Sequence, residues 1–336
     1  MSRRLVPALA IGLALTLVAA CGGDASLPSE VTGSVPEASA PATTAAPECT
    51  PAAQADDATP SYPAMDPLPG PGDFDPDSTM ADIVDRGRLI VGVSGDTLLF
   101  GSRNPITGAI EGFDIDMLKE VATALFGQGG EDKIEYKVIT YAQRLPALEA
   151  GDVDIVAHTM TINCRRWLRI AFSSVYFDAG QKLLVKAGSS IDGKEALIDS
   201  GARVCAPEGS TNIDEINKPE YTGIEVVGKA DISDCLVAMQ QGDVDVITGD
   251  DTVLAGFAVQ DPNTEVVGDA FTSEPYGLGI NREQVDFVQF VNGVLAEMRT
   301  NGRWAEIYQA WLIDTGALDD PTIPDPPPAD ESRPLP

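Results

Sequence analysis

Two stretches of the chain end in the same way. ALEAGDVDIVAHTMT begins at Ala147 and AMQQGDVDVITGDDT begins at Ala238, and in each GDVD and a short apolar run lead into a polar cluster at the same distance. The clusters are His158 to Thr161 and Gly249 to Thr252. Hydroxyls, an imidazole and carboxylates at such positions serve either acid–base chemistry or capture of a polar ligand. For catalysis the spacing offers two carboxylate pairs, Asp250 with Asp251 and Asp114 with Asp116. The second pair opens a helical stripe, where the helix dipole favours acids without any catalytic purpose. His158 is the only histidine, so no multi-histidine metal site can form, and the chain carries no HExxH, P-loop or GxSxG pattern. These residues read as a binding site rather than a catalytic one, with no cofactor and no metal expected.

The elements that must position the clusters follow an α/β rhythm. RLIVGV reads as a buried strand, and FDIDMLKEVATALF carries apolar residues at Ile115, Leu118, Val121, Ala122 and Leu125, a helical stripe. KIEYKVIT and VDIVAHT give further strands around the short helix of AQRLPALEAG. The rhythm then restarts with RVCAPEGS, TNIDEIN, GIEVVG, DISDCLVAMQQG and VDVITGDD. In each half a helix stops at a Gly and the next strand delivers its C-terminal residues to the sheet edge, where ligands of open α/β sheets sit. Two such edges facing one another make a cleft. EPYGLGI and the long helical stretch from Glu283 to Leu312 have no place in the completed second half and are expected to return to the first. The expected organisation is lobe 1 at 79–182 plus 276–315 and lobe 2 at 183–275, with two crossings near Lys182 to Val185 and Gly268 to Tyr276.

The N-terminal residues read as a signal peptide, 1–20: Arg3 and Arg4, an apolar run from Leu5 to Ala20, and the lipobox-like VAAC that ends at Cys21, the lipidation site. The apolar run is short of the roughly 20 residues that a bilayer-spanning helix needs. Residues 21–78 are rich in Pro, Ala, Thr, Ser and Asp and are expected to form a disordered tether, as is the tail at 316–336. With 22 basic and 52 acidic side chains the formal charge is −30, which argues against nucleic acid as a partner. Besides Cys21 four cysteines remain, and outside the membrane four suggest two disulfides. Of the three connectivities, Cys205 with Cys235 is favoured because both fall in one half, leaving Cys49 with Cys164. A four-cysteine zinc site is disfavoured by the lack of any CxxC spacing.

RLIVGV, GFDIDMLKEVA, LEAGDVDIVAHTMTINCRRWLRIAFSSVYF, GARVCAPEGST and DCLVAMQQGDVDVITGDDTVLAG together carry a likeness. Over nearly all of Ala81 to Leu312 the chain resembles the family 3 extracellular solute-binding proteins, the receptors of polar amino-acid ABC transporters. It is most similar to the actinobacterial glutamate/glutamine-binding lipoproteins. The resemblance implies a two-lobed periplasmic-binding-protein-like α/β fold of type II that closes on glutamate, aspartate, glutamine or asparagine, with acidic ligands favoured. It implies Arg166 for the α-carboxylate, flanked by Thr159 and Thr161, and Ser210 and Thr211 at a helix start suited to an anion. Asp250 is implied for the ammonium with Asp251 as a second carboxylate, Arg144 for a distal carboxylate with Arg103 adding to it, and Phe100 for the pocket wall. His158 and Thr159 stand where many members have small residues, and Cys164 and Arg165 where acids commonly precede the arginine. The implied partners are an ABC permease with a separate ATPase, or a membrane receptor in a sensing role, at the outer face of the cell membrane.

Overall fold

The computed structural model describes residues 58–318 and 321–336; the signal peptide, Cys21 and Cys49 lie outside them. The chain runs α1 (Thr79–Arg86), β1 (Leu89–Val93), β2 (Asp96–Thr97), β3 (Gly101–Arg103), β4 (Ile110–Glu111), α2 (Phe113–Phe126), β5 (Ile134–Val138), α3 (Arg144–Glu149), β6 (Ile155–Ala157), α4 (Cys164–Trp167) and β7 (Ile170–Phe172). It crosses on β8 (Phe177–Lys186) and continues through α5 (Lys194–Ile198), β9 (Arg203–Pro207), α6 (Thr211–Ile216), β10 (Glu225–Lys229), α7 (Ile232–Gln241), β11 (Val246–Asp250), α8 (Asp251–Gln260) and β12 (Thr264–Val267). It returns on β13 (Ser273–Tyr276) to β14 (Gly279–Asn281), α9 (Val285–Asn301) and α10 (Arg303–Tyr308).

Two sheets result, built on one plan. In lobe 1 the order is β5-β1-β6-β14-β7, with β5, β1 and β6 parallel and β14 antiparallel to both its neighbours. In lobe 2 it is β10-β9-β11-β8-β12, with β10, β9 and β11 parallel and β8 antiparallel to β11 and β12. α2, buried along Ile115, Leu118, Val121, Ala122 and Leu125, and α9 fill the lobe 1 core.

The repeated GDVD does the same work in both lobes. Gly151 and Gly242 follow α3 and α7 with φ of 69° and 81°, the left-handed stop that a Cβ disfavours. The next amide closes each helix end on a carbonyl five residues back, Asp152 N to Ala147 O at 2.9 Å and Asp243 N to Ala238 O at 2.8 Å. The second aspartate then fixes the neighbouring parallel strand. Asp154 Oδ2 accepts from Ile90 N of β1 at 2.8 Å, and Asp245 Oδ2 accepts from Arg203 N of β9 at 3.0 Å. Each also pairs with an arginine, Arg86 and Arg203. The motif therefore sets the register from which β6 and β11 emerge, and with it the position of both polar clusters.

The crossing differs from its expected place on one strand. Phe177–Gly180 pairs antiparallel with Tyr276–Ser273, while Lys182–Val185, the expected crossing, is bonded to β11 inside the lobe 2 sheet. Alternation within β8 does not mark where its partner changes from β13 to β11.

The tether and tail boundaries also need correction. Residues 58–78 pack on lobe 1, with Ser61 fully buried, Met65, Leu68 and Phe74 against the core, and the Phe74 ring 5.6 Å from that of Phe290. The end of the tail lies beside them, Ser61 N donating to Asp330 O at 2.8 Å and Arg333 N to Ser61 O at 3.0 Å. The composition of these segments is that of a linker, but a few large apolar side chains among prolines bury well without any helical or strand periodicity.

Cys205 and Cys235 form a disulfide, joining β9 to α7 in the lobe 2 core; Cys164 is also disulfide-bonded. The Cys205–Cys235 bridge closes a loop with a sequence separation of 30. Replacing both residues by alanine is expected to lower the free energy of unfolding by about 3 kcal/mol, to be read from urea denaturation with fluorescence detection. An unchanged midpoint would show that lobe 2 is held without the bridge.

Candidate functional site

The two clusters meet where the lobes touch. Arg144, the first residue of α3, is almost fully buried with its guanidinium 4.6 Å from the Tyr141 ring centre. Its Nε donates to Tyr141 O at 3.0 Å, Nη1 to His158 O at 3.0 Å, and Nη2 to Gly209 O of lobe 2 at 3.0 Å. Arg166 sits on the single turn of α4, capped by Asn163, and donates through Nη1 to Thr161 O at 2.6 Å and through Nη2 to the same Gly209 O at 3.3 Å. Burial, and then the positive charge of Arg144, lowers the Arg166 pKa to about 9; burial likewise lowers that of Arg144. Gly209 has φ 82°, and a Cβ there would lie 2.9 Å from Ala142 Cα, so only glycine lets the lobe 2 turn approach this closely.

From lobe 2, β11 delivers Asp250. Its Oδ1 accepts from Asn212 Nδ2 at 2.8 Å and its Oδ2 from the Tyr276 hydroxyl at 2.5 Å. Burial, reinforced by the negative charge of Glu274, pushes its pKa up to about 7. Asp251 turns the other way, its Oδ1 accepting from Thr252 N at 2.8 Å and Gly180 N at 3.4 Å, so it serves the start of α8 and the crossing strand. Ser210 caps α6 by accepting from Ile213 N at 3.1 Å and donates to Pro207 O, a structural assignment. Thr211 and Thr161 face each other across the lobes with hydroxyls 3.2 Å apart.

Glu274, on β13, was not among the sequence expectations. Its Oε2 accepts from both Thr161 and Thr211 at 2.6 Å and its Oε1 from Thr272 at 2.6 Å, so one carboxylate ties lobe 1, lobe 2 and the crossing together. Tyr141, Asn212 and Tyr276 were missed as well, because only the folded chain brings them beside the charged residues.

Other expected residues are placed differently from one another. His158 is buried, with Nε2 3.1 Å from Ile139 O and its ring edge-on to Tyr141; burial, then the charge of Arg144, pushes its pKa down to about 3, leaving it neutral. Thr159 is held at φ 41° by Asp114, whose Oδ2 accepts from its amide at 2.8 Å. Phe100 is fully buried, with its ring 5.8 Å from Tyr276 and 5.1 Å from Phe177, and backs the site from the core. Arg103 is exposed and donates to Gly108 O at 2.7 Å, on the rim of an interlobe crevice of about 320 Å³ shared with Asp96, Asp231 and Ser233. This rim is fastened where Ser233 Oγ donates to Asp96 at 2.5 Å, and Arg165 pairs with Asp214 across the lobes beside a separate cavity that Arg166 and Gly209 line. Among the described residues, buried side-chain atoms without a hydrogen-bond partner include His158 Nδ1 and Thr252 Oγ1, one from each polar cluster. Such atoms are rare in protein interiors, and Gln284 and Arg299, on neither cluster, carry them too.

Two α/β lobes on one plan, joined by paired crossing strands and closing on buried charges drawn from both, define a solute receptor. Comparison with known proteins specifies it further. The pattern of the bacterial extracellular solute-binding proteins, family 3, matches residues 89–314, and the chain belongs to that family. It is 39% identical over 241 residues to the ABC transporter glutamine-binding protein GlnH of Bacillus subtilis, covering 71% of this chain and 86% of that one. It is 30% identical over 234 residues to the glutamate-binding protein GluB of Corynebacterium glutamicum, covering 67% and 78%. Among solved structures it is similar to an ancestral arginine-binding protein bound to glutamine, with a TM-score of 0.61, 30% identity and coverage of 67% and 98%.

Proposed function

We propose that the protein captures a free α-amino acid between its lobes and delivers it to an ABC importer without altering it chemically, glutamine being the ligand held best. The observation that carries this is the convergence of Arg166 and Arg144 from lobe 1 on the Gly209 carbonyl, one turn from the Asn212–Asp250 pair of lobe 2. In this reading Arg166 takes the α-carboxylate through parallel N–H donors and Asp250 takes the ammonium. Arg144 and the hydroxyls of Thr159 and Thr161 face the side chain and carboxylate. Names of relatives support a glutamine or glutamate ligand.

Charge favours the amide over the acid, a shift from the acidic ligand expected of Arg144. Two guanidiniums, Arg144 and Arg166, already face three buried carboxylates, Asp250, Glu274 and Asp114. Glutamine is a net-neutral zwitterion and brings no net charge of its own, whereas glutamate brings a further negative charge into a poorly solvated place. The donors of Arg144 are also largely engaged by backbone carbonyls. Family membership supports an extracytoplasmic location. Lipidation at Cys21 and tethering to the outer membrane face complete the proposal.

The test is thermal unfolding with each of the twenty amino acids. At a hundredfold excess over Kd the preferred ligand is expected to add about 2.7 kcal/mol of stability. Glutamine should raise the unfolding temperature most, and glutamate less at equal concentration. A uniform absence of any shift with the disulfide-intact protein sinks the reading; a larger shift with glutamate sinks the charge argument alone.

A further inference from the structure

Arg166 is carried by a helix of four residues, too short to hold itself in place, since helix formation begins with an unfavourable nucleus. Each of its residues is fixed from outside. Cys164 is disulfide-bonded, Arg165 pairs with Asp214, and Trp167 is enclosed by residues of 58–62 and by Arg333. The Trp167 indole N–H donates to Ala58 O at 2.7 Å, its face lies 3.7 Å from the Arg333 guanidinium carbon, and the Tyr62 ring meets it edge-on at 6.0 Å. Arg333 is in turn held by its Nε, which donates to Pro60 O at 2.9 Å, and by the Ser61 pairing already described. Ser61 is anchored on the lobe 1 core, donating to Phe172 O at 2.7 Å and accepting from Asn292 Nδ2 at 2.9 Å. Residues 58–62 and Arg333 lie outside the family-matched stretch of 89–314.

We propose that residues 58–62, pinned by Arg333, form a clasp that sets α4, making Arg333 a positioning residue for the Arg166 guanidinium and hence for ligand affinity. This deepens the proposed function and rests on its role for Arg166. The guanidinium stacked on Trp167 closes the outer side of the turn, and the disulfide at Cys164 holds its beginning. A charged group that must meet a small carboxylate from a buried position tolerates little displacement of the backbone that bears it.

The experiment compares the full chain with Arg333→Ala, Arg333→Lys and Glu331→Ala. The last removes the carboxylate that accepts from Ala64 N at 2.8 Å, a contact outside the clasp and away from the indole. Hydrogen exchange of the Arg166 and Trp167 amides is measured together with the Kd for glutamine by calorimetry, well below the unfolding temperature. Arg333→Ala is expected to speed exchange at both amides and to weaken binding about tenfold, the scale of a partly desolvated cation–π contact. Arg333→Lys should recover most of both, and Glu331→Ala should leave Kd unchanged. Unaltered exchange in Arg333→Ala overturns the clasp, as does faster exchange with an unaltered Kd. Equal losses of affinity in Arg333→Ala and Glu331→Ala reduce the segment to general stabilisation and overturn the positioning role. If the unmodified chain binds no amino acid, the proposed function fails, and the clasp is then judged on exchange at α4 alone.

Discussion

Arg166→Ala is expected to remove ligand binding at any practical concentration while leaving the protein folded. Truncating one partner of a buried, hydrogen-bonded charge pair costs about 2–5 kcal/mol, and the upper half of that range takes a micromolar Kd into the millimolar range. The larger value applies here for two reasons. Arg166 is buried, so an incoming carboxylate stripped of water would be left without a counter-charge. In the proposed pose its neighbour Arg144, which donates to Tyr141 O, His158 O and Gly209 O, faces the ligand side chain and leaves the α-carboxylate to Arg166. The variant also loses the donors to Thr161 O and Gly209 O, a modest cost to the contact between lobes. Calorimetry with the best ligand of the thermal panel, beside a far-ultraviolet spectrum and an unfolding curve, separates lost affinity from lost fold. Retained binding within tenfold of the original would remove Arg166 from the carboxylate role.

What could be read from the sequence followed from how local each signal was. The helix over Phe113–Phe126 came directly from its apolar spacing, and RLIVGV and VDVITGDD from continuous apolar runs between turns. GDVD was legible as a repeat, although its mechanism was not: the bonds from Asp154 to β1 and from Asp245 to β9 span 64 and 42 residues. Glu274 shows the opposite case. A lone glutamate before Pro-Tyr-Gly has no local pattern, and its partners Thr161 and Thr211 are 113 and 63 residues away. Arg103 was expected to add to Arg144 on a distal carboxylate and Asp251 to second Asp250, but one lies on the rim and the other bonds the crossing strand's backbone. The segment 58–78 and the tail were misread for a further reason. Average composition describes a linker, whereas burial of Ser61, Met65 and Phe74 depends on individual side chains meeting lobe 1.

The ammonium side of the site leads to a pH dependence whose sign can be worked out. With no ligand, burial and the charge of Glu274 hold the Asp250 pKa at about 7, above the ordinary carboxylate range. A ligand ammonium favours the ionised carboxylate, so below pH 7 a proton must leave Asp250 on binding. Affinity should therefore be flat above pH 7 and fall by up to tenfold per unit below it, about a hundredfold by pH 5. Stability of the ligand-free protein carries the opposite slope from this residue. A carboxylate whose folded pKa is raised contributes stability that is present at acid pH and lost as pH rises through about 7. Heating the free and ligand-saturated protein across pH 5 to 8 reads both trends at once, the ligand-induced increment shrinking toward pH 5. Asp114, raised to about 6 by burial and then opposed by bonds from Tyr176 and Thr159, titrates in the same window, so Asp250→Asn identifies the source. That variant should bind weakly at every pH and lose most of the dependence; a slope that survives it intact would assign the titration to another raised carboxylate, Asp114 or Asp231, and remove Asp250 from the ammonium role.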